Sequence, residues 1–400
     1  MFLGDTVKEM ALPFLLRRVE LRNYRSIEHC DVELGPLMFL VGPNGSGKSN
    51  FLDALRFVSD CLNTSVDQAV RSRGGLKQIS YDSGPGFSIK LTLALAGEHV
   101  AEYLIEIWAG EKGAIEITRE TFTSPTIQYN RSRSQLVEIS SSSITTKLLE
   151  QAFGFPPPQP DRLYLHNLTS NAMCNLAHRA LTSMAFYHPS VAKMREHQDV
   201  DAGDRLARDA SNLASVLRSM KQSQPNSMKF VLSFLTAAIP KLADVQALDV
   251  ADKVTLHFME SRSGNGRMSR FYASNMSDGT LRALGILVAL FQGFDSELRI
   301  DLVGIEEPET GLHPASAEVL YESLQVASRL RQVLVTSHST ELLERDDVDP
   351  NSILAFSAEG DSTLVEPLDD TVRSILRQKL STPGELLRKD LIGPQRSVVR

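Results

Sequence analysis

Gly42-Pro43-Asn44-Gly45-Ser46-Gly47-Lys48-Ser49 has the spacing G-x-x-x-x-G-K-[ST], and its surroundings say more than the spacing does. Ahead of it, Leu37-Met38-Phe39-Leu40-Val41 reads as a buried strand. Behind it, Phe51, Leu52, Leu55 and Val58 repeat at helical spacing. The glycine-rich stretch is therefore a strand-to-helix turn, the context in which backbone N–H groups and a helix N-terminus face an anion. Glycine lets the chain wrap phosphate oxygens in conformations that a Cβ would obstruct. On this reading Gly42, Asn44, Gly45, Ser46, Gly47, Lys48, Ser49 and Asn50 surround the phosphates of ATP. Lys48 brings a point charge to the β- and γ-phosphates, and the Ser49 hydroxyl coordinates Mg²⁺.

Such a loop belongs in an α/β core, and the ends of the chain supply one. Leu16, Val19 and Leu21, then Val32 and Leu34, predict two strands before the loop. The last third alternates a helix from Leu281 to Phe291, a strand from Ile300 to Ile305, a helix near Ala315 to Leu330 and a strand from Val333 to Thr336, which implies a parallel sheet with flanking helices. Between the ends, residues 87–108 alternate as an antiparallel sheet. A serine run (Ser140 to Ser143) and Phe155-Pro156-Pro157-Pro158-Gln159-Pro160 then mark a lobe boundary. Leu206, Leu213, Val216 and Leu217 carry a helical reading to about residue 240. The expected organisation is an N-terminal tail at 1–14, the first part of a head at 15–150 and an inserted, mainly helical lobe at 151–265. The second part of the head follows at 266–357, and a C-terminal extension at 358–400.

Two strand ends in that last third carry chemistry. Ile300-Asp301-Leu302-Val303-Gly304-Ile305-Glu306-Glu307-Pro308 is an apolar strand ending in adjacent carboxylates, whose burial is costly unless something binds them. Alternation along a strand sends neighbours to opposite sides, so Glu306 faces the metal and Glu307 a water in line with the γ-phosphate. Val333 to Thr336 ends likewise at Ser337-His338-Ser339, offering His338 to the γ-phosphate or the water, where open α/β sheets place their ligands. Ser277-Asp278-Gly279-Thr280, taken by itself, is a turn and a helix cap.

Taken together, GPNGSGKS at 42–49, MSDGTLR at 276–282, LVGIEEPETGLHP at 302–314 and VTSHS at 335–339 resemble, in order, the motifs of ABC-type ATPases of the SMC, RecF and OLD-like branch. The resemblance covers about half of the chain, and Asn212-Leu213-Ala214-Ser215-Val216-Leu217 in the lobe is similar to compact stand-alone ATPases of bacteria. It implies a P-loop head of mixed sheet with an antiparallel β subdomain, in which Ser277, Asp278 and Gly279 form a signature loop touching ATP held by a second copy. Glu306 and Ser49 then serve the metal, Glu307 is the catalytic base and His338 the switch histidine. Glu306 stands where many relatives have aspartate, and His313 where an aspartate is common; Gln78 and Gln128 are candidates for the Q-loop glutamine.

What remains open is the output. The resemblance implies ATP hydrolysis by a homodimer of heads or a higher oligomer, acting as a clamp in DNA maintenance or in defence against phage or plasmid DNA. A separate effector, nuclease or toxin, completes that picture, with DNA as a candidate ligand. A scaffold that sequesters a partner protein, hydrolyses slowly and ignores DNA is the alternative. A net charge of −7 argues against coating nucleic acid with the whole surface, leaving local patches at Arg71 and Arg73, Arg131 and Arg133, and Arg388, Lys389, Arg396 and Arg400. Three scattered cysteines, no apolar run long enough for a bilayer and no signal-like start predict a cytoplasmic protein without membrane contact.

Overall fold

The computed structural model describes residues 12, 14–95, 99–133, 135–141, 156–200, 203–261, 268–296 and 299–393. Most of the expected N-terminal tail, part of the serine run, and Arg396 and Arg400 lie outside the described residues. In chain order the first strands are β1 (Phe14–Tyr24), β2 (Ile27–Glu33) and β3 (Leu37–Val41). Helices α1 (Lys48–Asn63), α2 (Val66–Arg71) and α3 (Leu76–Ile79) follow. Next come β4 (Gly86–Leu95), β5 (His99–Ala109), β6 (Ile115–Thr123), β7 (Ile127–Ser132) and β8 (Gln135–Ser141), then α4 (Ala172–Ser183). The sequence continues with β9 (Ala185–Tyr187), α5 (Val191–Arg195), β10 (Gln198–Asp199), α6 (Leu213–Ser223) and α7 (Pro225–Ala238). β11 (Leu242–Val250), β12 (Lys253–Ser261) and β13 (Met268–Tyr272) lead to α8 (Asp278–Phe291) and β14 (Leu302–Glu306). The chain ends with α9 (Pro314–Ser328), β15 (Gln332–Ser337), β16 (Ile353–Glu359), β17 (Ser362–Pro367), α10 (Asp370–Arg377) and α11 (Pro383–Arg388).

These elements form two compact units. One holds residues 12–184 and 349–378. Its seven-stranded antiparallel sheet runs β2-β1-β4-β5-β6-β7-β8. Within β1 a bulge between Leu16 and Arg18 shifts the register by one residue, so that Leu16 and then Val19 and Leu21 all reach the core. Beside this sheet, β3 pairs in parallel with β16, and β16 antiparallel with β17. Helix α1 buries Phe51, Leu52, Leu55, Phe57 and Val58, with Phe51 edge-on to Phe356 of β16 at 5.8 Å. Each such side chain contributes about 1.5–3 kcal/mol. This fixes the helix that opens the glycine turn.

Arginines do structural work in the same unit. The Asp53 carboxylate of α1 accepts from Tyr24 Oη at 2.9 Å, Arg25 Nε at 2.8 Å and Arg73 Nε at 3.1 Å, and also pairs with Arg56. Burial alone would raise the Asp53 pKa, but Arg73, Arg56 and Arg25 overcome it and hold the carboxyl below its ordinary value. Arg131, 1% exposed, pairs with the fully buried Glu120 and donates to the carbonyls of Gln159 and Arg162. Arg73 and Arg131 are therefore not parts of open basic patches, because each is consumed by a buried carboxylate.

The second unit holds residues 185–348 and 379–389. In it β14 lies between β9 and β15, all parallel, with Tyr187 level with Ile305 and Glu306 level with Thr336. Helix α8 is apolar on every side because every side is covered: Leu281 and Ala283 through Phe291 are buried. Ser277 caps it by accepting from the Thr280 N–H at 3.2 Å. The lobe is helical over α6 and α7, as its spacing predicts, but from Leu242 it turns into the antiparallel pair β11 and β12, with β10 and β13 both pairing with β12. The unit boundary at 184/185 also leaves α4 with the first unit rather than with the rest of the lobe. Among the described residues no helix is long and apolar enough to cross a membrane.

Candidate nucleotide site

The glycine turn leaves β3 at Val41 and enters α1 at Lys48. Gly42 passes so close to β16 that a Cβ there would lie 2.2 Å from the Phe356 oxygen. Gly47 takes the left-handed conformation, with φ 93°, and an added Cβ would lie 2.2 Å from Thr363 Oγ1. As the N-cap of α1, Gly47 offers no side chain, and no acidic residue occupies the first turn. With neither a capping side chain nor an acid there, the positive end of the helix is open to an outside anion. Lys48 Nζ folds back onto the carbonyls of Gly42 and Pro43 at 2.7 and 2.8 Å, while Asn44, Gly45 and Ser49 are exposed. The Ser46 hydroxyl is buried and has no hydrogen-bond partner among the described residues. The Asn50 side-chain amide donates to Ser26 Oγ at 2.7 Å. A cradle that a Cβ would fill, a buried unpaired hydroxyl and an uncapped helix start fit a polyphosphate.

In the other unit, the two adjacent carboxylates part company. Glu306 ends β14 and pairs with Arg208 at 2.7 Å. Glu307 leaves the strand in the left-handed region, φ 45°, and its carboxylate meets His338 Nδ1 at 3.2 Å. The pleat argument for opposite faces therefore does not apply to Glu307: a strained turn ahead of Pro308, not strand alternation, sends it elsewhere. Such a conformation costs about 1–3 kcal/mol and persists only where neighbours enforce it. Here the Glu307 N–H donates to the Thr336 carbonyl and hydroxyl, both at 3.1 Å, and its carbonyl accepts from Arg282 at 3.4 Å. A carboxylate and an imidazole are thereby held together at the end of parallel strands.

The signature segment belongs to the same unit. Ser277 is occupied as helix cap, its hydroxyl also 2.9 Å from that of Thr280, and Asp278 pairs with Arg195, which also donates to the Met276 carbonyl. Gly279 lies near the Gly311 carbonyl. The Ser49 hydroxyl, exposed in the first unit, and the Glu306 carboxylate of the second are each a hard oxygen donor of the kind Mg²⁺ takes. Gln78 and Gln128 are both exposed, on α3 and β7.

Nothing in the sequence sets Glu309 apart from the acids beside it. Its side chain is buried, Oε1 accepts from the Ser337 hydroxyl at 2.6 Å, and Oε2 has no partner among the described residues. Burial raises its pKa, against the hydrogen bond from Ser337. A carboxyl whose folded value lies above the unfolded one favours the fold fully below the unfolded value and loses that contribution as pH rises. Glu309→Gln is accordingly expected to stabilise the chain by about 1 kcal/mol near neutral pH. The gain should vanish below the ordinary glutamate value of 4.5, as thermal melting against pH would show.

Two family models match successive parts of the chain. The family described as AAA ATPase domain matches residues 15–152, and the one described as AAA domain, putative AbiEii toxin, Type IV TA system, matches residues 157–344. An OLD nuclease of Thermus scotoductus is 46% identical over 44 residues, 11% of this chain. A DNA replication and repair protein RecF of Phocaeicola vulgatus is 36% identical over 64 residues, 15% of this chain. The matched stretches span only 8% and 17% of those two relatives. Among solved structures, an Smc head bound to the C-winged helix domain of ScpA aligns with TM-score 0.53 at 12% identity, over 88% of this chain and 96% of that one. An Smc head with an extended coiled coil, bound to the C-terminal domain of ScpA derived from Pyrococcus furiosus, aligns with TM-score 0.51 at 12% identity, over 91% and 99%. At that identity the likeness is one of fold.

Proposed function

We propose that the chain is an ATPase of the SMC, RecF and OLD-like branch that binds and hydrolyses ATP as a dimerising clamp, a reading supported by the two ATPase family matches and the two short matches to an OLD nuclease and a RecF protein. The observation that carries this reading is the uncapped start of α1 inside a glycine cradle, with Lys48 resting on loop carbonyls that a phosphate would replace as its partner. Ser49 and Glu306 would hold Mg²⁺, which when bound neutralises charge on the phosphate oxygens. Lys48 would turn from Gly42 and Pro43 to the β- and γ-phosphates. Glu307 would orient the attacking water and take its proton, and His338, already paired with that carboxylate, would keep it aimed. Ser277, Asp278 and Gly279 would serve ATP bound by a second copy, giving each event of binding and hydrolysis an effect on association.

The setting we favour is DNA maintenance or defence against phage or plasmid DNA, with a separate nuclease or toxin as effector, in line with the repair, nuclease and toxin descriptions of the relatives. The scaffold reading, slow hydrolysis and sequestration of a partner protein without DNA, is favoured by a net charge of −7 and by the burial of Arg73 and Arg131. ATP binding and phosphate release by the full chain, with and without duplex DNA, separate the two. Stimulation by DNA that fades between about 50 and 200 mM salt is the expected result for a DNA-linked ATPase. Turnover indifferent to DNA at every salt concentration supports the scaffold, and no ATP uptake at all contradicts both.

A further inference from the structure

The partner of Glu306 is not explained by the family motifs. β9 and β14 run parallel with Tyr187 level with Ile305, so the next residues, His188 and Glu306, stand at the same strand ends. There the His188 N–H donates to the Arg208 carbonyl at 2.8 Å, and the Ser190 N–H to that of Asp209 at 2.9 Å. The backbone at 208–209 is thus pinned beside the exit of β9 without help from the Arg208 side chain. From this mooring the guanidinium reaches Glu306 Oε1 at 2.7 Å. Exposures are unequal: the Glu306 side chain is 13% exposed, that of Arg208 50%. A carboxylate shielded from water needs a counter-charge, and a half-exposed guanidinium can leave at little cost because water takes it up.

Building on the assignment of Glu306 to the metal, we propose that Arg208 is the metal-free counter-ion of Glu306 and competes with the divalent cation for its carboxylate. The pair neutralises the acid and occupies a lone pair that a cation needs. A cation must therefore compete with Arg208 for the charge of Glu306, a guard supplied by the lobe and specific to the metal step.

The test is binding of Mn²⁺ together with a non-hydrolysable ATP analogue, read as free Mn²⁺ by electron paramagnetic resonance. Parent, Arg208→Ala, Arg208→Gln and Glu306→Gln chains are compared, with melting curves as a check on folding. Because the loop is held by its backbone, the Arg208 variants should still fold and melt cooperatively, at a temperature somewhat below that of the parent for want of the counter-charge on Glu306. Arg208→Ala and Arg208→Gln are expected to bind Mn²⁺ about three- to fivefold more tightly, and Glu306→Gln to bind it more weakly. Weaker binding in Glu306→Gln without a gain in either Arg208 variant overturns this inference alone. Unchanged Mn²⁺ affinity in Glu306→Gln and in both Arg208 variants overturns the metal assignment of Glu306 and the inference with it.

Discussion

Glu307→Gln is expected to bind ATP as the parent does, to lose turnover by about a hundredfold or more, and to accumulate as an ATP-dependent dimer. The substitution keeps the size of the side chain and its capacity to accept from His338, but it removes the proton acceptor, so binding and chemistry separate. The left-handed backbone at Glu307 is held by Thr336 and Arg282, contacts that involve main-chain atoms of Glu307 and survive the change. Single-turnover phosphate release and size-exclusion chromatography with and without ATP read the two effects independently. Hydrolysis at the parental rate would show that the base lies elsewhere.

Lys48→Ala carries the second large effect. A charge-assisted contact to phosphate is worth about 1.5–3 kcal/mol, and the lysine serves two phosphates, so ATP affinity should fall by about a hundredfold or more. The cost to the fold is smaller, since the Gly42 and Pro43 carbonyls that now accept from Nζ lie beside an exposed loop mouth where water can replace it. Equilibrium titration with a fluorescent ATP analogue checks the affinity, and a melting curve close to that of the parent checks the fold. Unchanged affinity would contradict the phosphate reading of the loop.

The parts of the molecule legible in the sequence are those where a local rule and the tertiary context agree. The glycine turn is bracketed by an all-apolar strand and a helix of clear period, and both elements form at Leu37–Val41 and Lys48–Asn63. The strands ending at Glu306 and Ser337 and the buried α8 likewise follow from composition and length alone. By contrast, the pair β11 and β12 turns at Ala251, an alanine with φ 55°, where no Asn-Gly or Asp-Gly marks a hairpin. The alternation of Val254, Leu256 and Phe258 was the available signal. β9, of three residues, is too short for any period to declare it.

Site chemistry hid for a different reason. Arg208 and Glu306 stand 98 positions apart, and Ser337 and Glu309 28 apart, so only folding brings each pair together. Arg73 and Arg131 read as surface charge because the carboxylates that bury them, Asp53 and Glu120, look like ordinary polar residues of a helix and a strand. In each case the missing information was the partner, which no window of neighbouring residues contains.

The most direct test of a triphosphate shared between two copies is complementation in a mixture. Ser277→Arg blocks the signature of one chain, at a cost of about 1 kcal/mol for the lost cap of α8, while Lys48→Ala disables the loop of the other. Each variant alone should be nearly inactive. Mixed, they should recover a substantial part of parental ATP turnover, because the loop of the Ser277→Arg chain meets the signature of the Lys48→Ala chain. A mixture no more active than the sum of its two components would contradict the account.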